Sequence, residues 1–437
     1  MKQIIDYIIR FLLYGNQDAA KLVAYTADES QWHNYRVVIV PNGHLGKDIV
    51  LPDLSDLQIT HHCTTTTTPP QHHCPTTATQ PQHNCNTTAT PPQHNCHIIH
   101  TDIIYNTFFF ISRAEELINT QRDQHNRFLA KYSILGQNNR LMIPLVDEYA
   151  RMLMKLLDLP LPTPSFSQIY LTHDVDSIAH YRHWRGAIGG ILRGQWRHVF
   201  ASRKDIHNDP AFTFSWLISR DKKVEGAKCI YFIKDTEGKG YDYPQYKLDG
   251  KDFETAKQLI ENSGAKIGLH SSYYGITQNS KFKIQKTQNS KFKIQKTQNS
   301  KFKIQNLLHR SHYLRCSIDQ MQTLADAGIQ DDFTMMFPDQ VGFRLQTTRP
   351  VRWINPITMT LTPLTLHPLT VMDCTLSNTN YMHLNEDEAY FECQRLFDKI
   401  HQNAGEAVIL WHNTNPTGNT YHRTLYPKLL ALLEEYR

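Results

Sequence analysis

The sequence predicts an α/β protein in which a distorted barrel of strand–helix units, over residues 166–437, follows a smaller α/β domain over residues 1–165. Two observations predict this division. Beyond residue 170, short apolar runs alternate with stretches of helical length, which is typical of parallel strands joined by helices. Just before it, three prolines in LPLPTP mark a linker. With 40% hydrophobic residues, the chain can fill the cores of both parts.

The predicted N-terminal domain begins with an amphipathic helix that packs on its own domain. In MKQIIDYIIRFLLYG the isoleucines and leucines recur at helical spacing, whereas Asp6 and Arg10 fall towards another face. These charges argue against a signal peptide, and no later stretch reaches the roughly 18 apolar residues that span a bilayer. We therefore expect a cytoplasmic protein without a membrane span. Further elements are predicted from these segments: a strand in RVVIVPNG, a strand and a helix in HIIHTDIIYNTFFFISRAEEL, and an amphipathic helix in LMIPLVDEYARMLMKLLDL.

Residues 60–97 are predicted to be a low-complexity insertion in this domain. Three copies of an eleven-residue unit rich in Thr, Pro, Gln and Asn run over residues 64–96 and offer almost no apolar surface, so we expect a disordered surface segment. Each copy carries His-x-Cys, which could bind a soft metal such as zinc or copper. Because ligands eleven residues apart are not preorganised, we favour simple duplication over a metal-buffering role. The cysteines outside the unit are predicted to be buried hydrophobes: Cys229, Cys316, Cys374 and Cys393.

A second repeat interrupts the predicted barrel over residues 277–306. Three near-copies of KTQNSKFKIQ are interpreted as a duplicated loop, with strand pairing, a membrane surface and nucleic-acid binding through Lys and stacked Phe as alternatives. The net charge of +5 is small for 437 residues, and the basic residues are spread along the chain, with one basic run inside this repeat. We therefore expect no nucleic-acid partner, and no protein partner is evident.

The run QIYLTHDVD ends in a pair of carboxylates. Strand alternation places Asp174 and Asp176 on one face and His173 on the opposite face. Hydrolysis with a metal needs one carboxylate to bind the ion and another to accept a proton from water. By itself Asp-x-Asp is more often a turn or cap feature, and His173 is interpreted as a packed histidine.

Later runs of the same region also end in residues capable of chemistry. They supply His270 after AKIGL, Arg344 after VGF, Asp373 after LTVM and His412 after AVILW. His312 lies among two arginines and a tyrosine in RSHYLR, which is interpreted as a helix start. Because active sites of parallel barrels lie at the carboxyl ends of the strands, these side chains are expected to converge.

In chain order, these residues resemble the five motifs of the polysaccharide deacetylases, the carbohydrate esterases of family four. The resemblance spans about residues 170–437 and implies the distorted (β/α) barrel of that family. Residues 1–165 are similar to the N-terminal extension of a Bacteroidetes-type subgroup, for which no activity is implied. The matching segments are Thr172–Asp176, Leu269–Ser271, Gly342–Arg344, Asp373 and Leu410–His412.

The resemblance implies a role for each matching residue. Asp174 would be the catalytic base, and Asp176 would bind the metal. Arg344 would orient the base, and His412 would protonate the leaving group. Asp373 stands in the fourth motif and is counted with the catalytic residues.

One position departs from the family. Its second motif has two histidines one helical turn apart, whereas Tyr274 stands at the second position here. We therefore expect His312 to complete the ligand set with Asp176 and His270, with the repeat tract looped out between the histidines. The expected ion is divalent, with Zn²⁺ foremost.

The implied function is hydrolytic removal of acetyl groups from an N- or O-acetylated polysaccharide or glycan precursor. Trp184, Tyr273 and Trp411 could offer flat faces to a sugar ring. Two alternatives stay open: a catalytically impaired carbohydrate-binding protein, which Tyr274 and the repeats favour, and a barrel hydrolase acting on another non-peptide C–N bond. A third ligand that completes the metal site would argue against the first alternative.

Overall fold

The computed structural model describes residues 1–63, 95–234, 240–244, 246–275, 283–286, 292–295, 307–417 and 421–437. The chain is a mixed α/β protein. The strands in these ranges are β1 Val23–Tyr25, β2 Val37–Ile39, β3 Ile59–Cys63, β4 Asn95–Ile99, β5 Gln168–Val175, β6 Lys228–Lys234, β7 Lys266–Ser271, β8 Lys283–Lys286, β9 Phe292–Gln295, β10 Leu308–Ser311, β11 Asp331–Met335, β12 Val351–Asn355, β13 Thr360–Pro368, β14 Val371–Met372 and β15 Glu406–Leu410.

The helices alternate with these strands. They are α1 Lys2–Leu12, α2 Gln17–Ala20, α3 Ile103–Ser112, α4 Glu115–Ile118, α5 Ile134–Gln137, α6 Leu145–Leu156, α7 Trp184–Leu192, α8 Trp196–Lys204, α9 Phe214–Asp221, α10 Lys251–Asn262, α11 Ile318–Asp326, α12 Asp373–Ser377, α13 Glu386–Gln402 and α14 Tyr421–Glu435. Short 3₁₀ turns occur at Glu29–Asn34, Ala130–Tyr132, Ile206–Asn208, Gly240–Asp242 and His312–Leu314. No helix in the described ranges combines the length and apolar character that crossing a membrane requires.

The N-terminal residues form a four-stranded sheet of order β1-β2-β4-β3, in which only β3 runs antiparallel to its neighbour. Helix α1 packs on this part of the chain through one face, which buries Ile4, Ile8, Ile9 and Leu12. The predicted amphipathic helix is therefore confirmed. The predicted strand in RVVIVPNG is β2, and the later segments form β4, α3, α4 and α6 as predicted.

A nine-stranded sheet carries the predicted catalytic residues. Its order is β12-β13-β11-β10-β7-β6-β5-β15-β14, and neighbours are parallel except for the antiparallel β12–β13 pair. Although β13 and β15 lie near opposite ends of this order, they contact each other, so the sheet curls. The predicted barrel is therefore present as a curled sheet, and a full ring of hydrogen-bonded strands is not formed by the described residues.

The curl encloses a small apolar core, and larger cores cover the outside. Inside, Phe232, Phe333 and Leu410 pack together and are buried. Outside, α9, α10, α13 and α14 cover one side of the sheet through a second core. The N-terminal helices share a third core with α11, β12 and β13. Within it, the buried Trp353 donates its indole N–H to the carbonyl of Ser112, so the N-terminal part is fixed to the edge of the curled sheet.

One predicted strand is wrong. VGFRL, which was expected to end in a strand-borne Arg344, lies in the loop between β11 and β12. Gly342 in this run has φ +139°, and a Cβ there would lie 2.7 Å from the carbonyl oxygen of Leu141, so the chain takes a path that a regular strand does not follow. RSHYLR was expected to begin a helix, but Arg310 and Ser311 end β10 and His312 begins a single 3₁₀ turn.

Both ends of the predicted insertion that contains the first repeat belong to the N-terminal sheet. Its central residues 64–94 lie outside the described residues, whereas both ends of the predicted segment 60–97 belong to the antiparallel pair β3–β4. Cys96, assigned to the repeat unit, is buried beside Val38 and Ile98. These contacts continue the sheet and place the boundaries of the insertion inside the predicted ones.

The second repeat contains paired strands. Most of residues 277–306 lie outside the described residues, but β8 and β9 form a separate antiparallel sheet. The strand-pairing alternative holds for these residues. The flanking strands β7 and β10 are direct neighbours in the main sheet, with His270 opposite Arg310.

A buried ion cluster bridges the strands where the curl brings them together. His367 of β13 contacts Glu406 of β15 through Nδ1 at 2.7 Å and Asp331 of β11 through Nε2 at 3.1 Å. Its ring also stacks on Phe333, with ring centroids 4.3 Å apart. Burial alone lowers the pKa of His367, but the two carboxylates outweigh it and raise this pKa to about 9.

We expect this cluster to make stability depend on pH. Because the folded-state pKa of about 9 exceeds the ordinary 6.5, the stabilisation is complete below pH 6.5 and is lost as the pH rises through 9. A difference of this size corresponds to about 3 kcal/mol. His367→Gln should therefore lower the free energy of unfolding more at pH 6 than at pH 9.5, as measured by urea denaturation. Replacing the exposed His33 in the same way is the control, and an equal loss at both pH values would contradict the assignment.

Candidate metal and catalytic site

Apart from Arg344, the predicted ligands and catalytic residues meet at the carboxyl ends of parallel strands of the sheet. Asp174 lies near the end of β5 and Asp176 directly follows it, His270 lies near the end of β7, and His312 directly follows β10. His412 comes two residues after β15. Because the strands are parallel and in register, their ends lie at one edge of the sheet.

Asp176, His270 and His312 form a compact group of three metal-binding side chains. The Oδ1 atom of Asp176 lies 3.4 Å from Nε2 of His270 and 3.2 Å from Nε2 of His312. Ligands of a tetrahedral zinc ion at about 2.1 Å are separated by roughly 3.4 Å, so these distances are those of a ligand set. The Oδ1 atom of Asp176 and Nε2 of His270 are buried and have no hydrogen-bond partner. Two unpartnered polar atoms that face each other fit a cation between them.

Each histidine of the site is held through its other ring nitrogen. Nδ1 of His270 lies 3.2 Å from the carbonyl oxygen of Arg310, and Nδ1 of His312 lies 2.9 Å from Oδ1 of Asp242. Such contacts make Nδ1 the protonated nitrogen and leave the lone pair of Nε2 for a metal. The site thus directs Nε2 of both rings towards Asp176.

Asp242 is a supporting residue that no motif in the sequence indicates. It lies in the 3₁₀ turn after β6 and accepts hydrogen bonds from the hydroxyl of Ser272 at 2.6 Å and the backbone N–H of Tyr273 at 2.9 Å. These contacts fix the carboxylate that orients His312. A carboxylate behind a metal-binding histidine is a frequent arrangement, but its position in the chain is not fixed by a motif.

The charges of the group stabilise one another. Burial raises the pKa of Asp176, but the imidazoles of His270 and His312 close to its carboxylate outweigh it and hold this pKa well below its usual range. Burial lowers the pKa of His312, whereas the carboxylates of Asp176 and Asp242 raise it, with a net increase. The carboxylate is therefore ionised and available to a cation.

Asp174 is held by an arginine, although not by the expected one. Nη1 of Arg310 donates to Oδ1 of Asp174 at 3.1 Å and to the hydroxyl of Thr172 at 2.9 Å. The guanidinium also lies over the ring of Phe232, with its carbon 4.6 Å from the centroid. The second oxygen of Asp174, Oδ2, lies 3.7 Å from Nε2 of His270. One oxygen of Asp174 is thus fixed, and the other faces the candidate metal site.

The prediction that Arg344 orients Asp174 is wrong in its geometry. Nη2 of Arg344 donates to Glu116 at 2.6 Å and Nη1 to the carbonyl oxygen of Met336 at 2.9 Å. Glu116 also binds Arg113 through two hydrogen bonds of 2.8 Å. Arg344 therefore belongs to a buried ion cluster with the N-terminal part of the chain, because the loop that carries it turns towards α4.

Asp373 and His412 form a buried pair next to the metal group. Oδ1 of Asp373 contacts Nδ1 of His412 at 2.7 Å, and Oδ2 accepts the backbone N–H of His412 at 2.7 Å. Burial raises the pKa of Asp373, but His412 outweighs it and lowers this pKa to about 2. The pKa of His412 is raised well above its usual value, because the charge of Asp373 outweighs burial. Nε2 of His412 lies 3.9 Å from Oδ2 of Asp176.

The three aromatic residues predicted to contact sugar have different surroundings. Trp411 is fully buried and stacks on Tyr426, which leaves no face for a ligand, so this prediction is wrong. Tyr273 packs among Tyr241, Tyr313 and other rings beside His312 and is nearly buried. Trp184 is 63% exposed on the outer face of α7.

The comparisons with known proteins are sparse. Residues 2–162 match a family model described as a family of unknown function (DUF7033). No curated protein matches the chain. Among solved structures, the chain is similar to the crystal structure of a "putative polysaccharide deacetylase from Mycobacterium smegmatis", with 12% identity and a TM-score of 0.39, over 62% of this chain and 85% of that chain. A likeness this distant establishes neither the fold nor the activity of the chain.

We expect Asp242→Asn to weaken zinc binding about 10- to 100-fold, because the amide no longer fixes the charge and tautomer of His312. The measurement is equilibrium dialysis or competition with a chromophoric chelator on the full chain. Asp326→Asn, an exposed acid on α11, is the matched control and should bind zinc as the wild type does. Unchanged affinity in Asp242→Asn would contradict the proposed support of His312.

Proposed function

We propose that the chain is a metal-dependent hydrolase that removes acetyl groups from an N- or O-acetylated polysaccharide or glycan precursor, with Asp176, His270 and His312 as ligands of a divalent ion. Zn²⁺ suits one carboxylate and two imidazole ligands, which leave a position open for substrate or water. The observation that carries the proposal is the pair of buried, unpartnered atoms, Oδ1 of Asp176 and Nε2 of His270, beside the arginine-bound Asp174.

The bound ion would supply a Lewis acid that polarises the acetyl carbonyl. The chain's own residues supply the proton transfers. Asp174 is the base: Arg310 occupies its Oδ1, so Oδ2 is the atom that accepts the proton of the attacking water. The hydroxyl of Thr172 accepts a hydrogen bond from the same guanidinium, which keeps Asp174 in one orientation.

His412 is the acid in this proposal. Its Nδ1 is bound to Asp373, so the proton on Nε2 points towards the metal group and can pass to the departing amine or alcohol. The raised pKa of His412 favours the imidazolium needed for that step. Asp373 is then a positioning residue, whereas it was counted with the catalytic residues from the sequence.

The alternative of an impaired carbohydrate-binding protein is less favoured by these contacts. Its main support is Tyr274, which is 55% exposed at the position of the family's second histidine. His312 supplies an imidazole within 3.2 Å of Asp176, and Asp242 holds that imidazole in place. A protein that only binds carbohydrate has no need of such support for a metal ligand.

The proposed function predicts that zinc-loaded wild type releases acetate from a mixture of N- and O-acetylated oligosaccharides. Asp174→Asn should lower kcat about 10²- to 10⁴-fold, because the amide accepts no proton, and should retain zinc. Asp326→Asn again serves as the control. Stoichiometric zinc in a wild type that releases no acetate from either class of sugar would overturn the proposal and favour the impaired protein.

Substitutions of Arg310 and Arg344 should separate an effect on catalysis from an effect on stability. Arg310→Lys should lower kcat by about 10- to 100-fold with little change in KM, because an ammonium cannot reproduce the contacts that aim Asp174. Arg344→Lys should lower the thermal midpoint and leave kcat within about twofold, since its partner is Glu116. The opposite pattern, with kcat lost only in Arg344→Lys, would restore the role that the sequence resemblance implied.

A further inference from the structure

The helical pair α7–α8 exposes an apolar surface that the proposed chemistry does not use. On α7, Trp184, Ile188, Ile191 and Leu192 recur at the spacing of one helical face, and they are 63%, 50%, 48% and 81% exposed. On α8, residues four apart continue this surface: Trp196 and Phe200 are 49% and 63% exposed. Large side chains on a water-facing stripe usually mark an interaction site.

The same segment is strongly basic. Residues 182–204 contain six Lys and Arg and no Asp or Glu, whereas the net charge of the whole chain is +5. The charge of this segment therefore exceeds the net charge of the whole chain, and a second acid-free basic stretch lies in the repeat over residues 277–306. Among the described residues, Arg182 pairs with Asp252, but no ion pair involves the remaining cations of the segment: Arg185, Arg193, Arg197, Arg203 and Lys204.

The inner face of the pair is built from small residues. Ala187 and Val199 pack on Tyr181, and a Cβ on Gly190 would lie 2.7 Å from both Tyr181 and Val199. These contacts turn the small side chains inward and the large apolar ones outward. The exposed stripe is thus part of how the two helices pack, and it is not the frayed end of an element.

We propose that α7 and α8 form a docking hairpin that binds the surface of an anionic lipid bilayer. Tryptophans and aliphatic side chains enter the interface between headgroups and acyl chains, while arginines beside them reach anionic headgroups. Cations already lie against the aromatic rings, with Arg185 5.2 Å from the Trp184 ring and Arg197 5.1 Å from the Trp196 ring.

A bilayer fits this surface better than two other occupants do. A second copy of the chain would bring two sets of six cations together. A nucleic acid would neutralise the arginines, but it offers no apolar layer for Ile188, Ile191 and Leu192. Only a surface with both negative headgroups and an apolar interior complements the whole stripe.

The hairpin also adjoins the candidate site. A cavity of about 560 Å³ has Arg185 and Arg193 on its hairpin side, Ser177 beside the metal ligand Asp176, and Thr414 after His412. In a chain bound to a bilayer through the hairpin, the opening of this cavity would lie at the level of the lipid headgroups. The docking inference stands independently of the proposed deacetylation.

The test is flotation of the full chain with vesicles of phosphatidylcholine containing 30 mol% phosphatidylglycerol, beside vesicles of phosphatidylcholine alone. Wild type should bind the anionic vesicles, more weakly at high salt, because each basic residue near the surface contributes about fivefold to the partition coefficient. The triple variant Ile188→Ser, Leu192→Ser, Phe200→Ser should lower binding at least tenfold.

Two controls make the outcome decisive. Ile357→Ser with Phe391→Ser removes apolar side chains that are 59% and 60% exposed elsewhere and should leave binding unchanged. Circular dichroism of each variant reports folding, so loss of binding with an unchanged spectrum is specific to the hairpin. Wild type that does not float with anionic vesicles would overturn the proposal. So would self-association of the wild type that the triple variant abolishes, because it would assign the stripe to a second copy.

Discussion

The arrangement of the candidate site depends on one constraint, the demand for positive charge of the Asp176 carboxylate, whose Oδ1 atom is buried. Oδ1 of Asp176 has two imidazole nitrogens within 3.4 Å and no hydrogen bond from either. An ionised group in such a place is costly unless a cation or a proton compensates it. The carbonyl of Arg310 and the carboxylate of Asp242 orient the two rings around it. The ends of β5, β7 and β10 supply these parts because their parallel pairing brings the strand ends together.

Much of the site could be predicted from the sequence, because a reactive residue at the end of a buried strand follows directly after an apolar run. The apolar runs before Asp174, His270 and His412 are strands in the structure, so the polar residue after each run was identifiable. His312 was selected from the density of polar residues around it, although its local structure was expected to be helical.

The residues whose roles were wrongly predicted have one feature in common: the residues that they contact are distant in the chain. Nothing in Gly342-Phe343-Arg344 indicates that a carboxylate 228 positions away, Glu116, will bind the arginine. Nor does the sequence show that Arg310, beyond a repeat tract, will reach Asp174. Trp411 follows a buried strand and was predicted to offer a face to a sugar ring, but its indole stacks on Tyr426 of α14. Burial of long side chains depends on packing between elements, which periodicity along one element does not encode.

The N-terminal residues are structurally joined to the curled sheet. Glu116 binds Arg344, and the buried Asp147 binds Arg349 and the hydroxyl and N–H of Thr348. These ion pairs hold the loop between β11 and β12, where buried charges would otherwise be unpaired. Removing residues 1–165 would therefore expose a charged and apolar edge of the sheet.

The pairing of β7 with β10 has a consequence for how the gene can change. Both strands are fixed in the sheet, so His270 and His312 keep their separation whatever number of residues connects them. Slippage of the copying machinery in a tandemly repeated stretch adds or removes whole ten-residue units, and each such step preserves the reading frame. The repeat tract lies between two strands whose pairing sets the site, so chains that differ in the number of repeat units would keep the same site geometry.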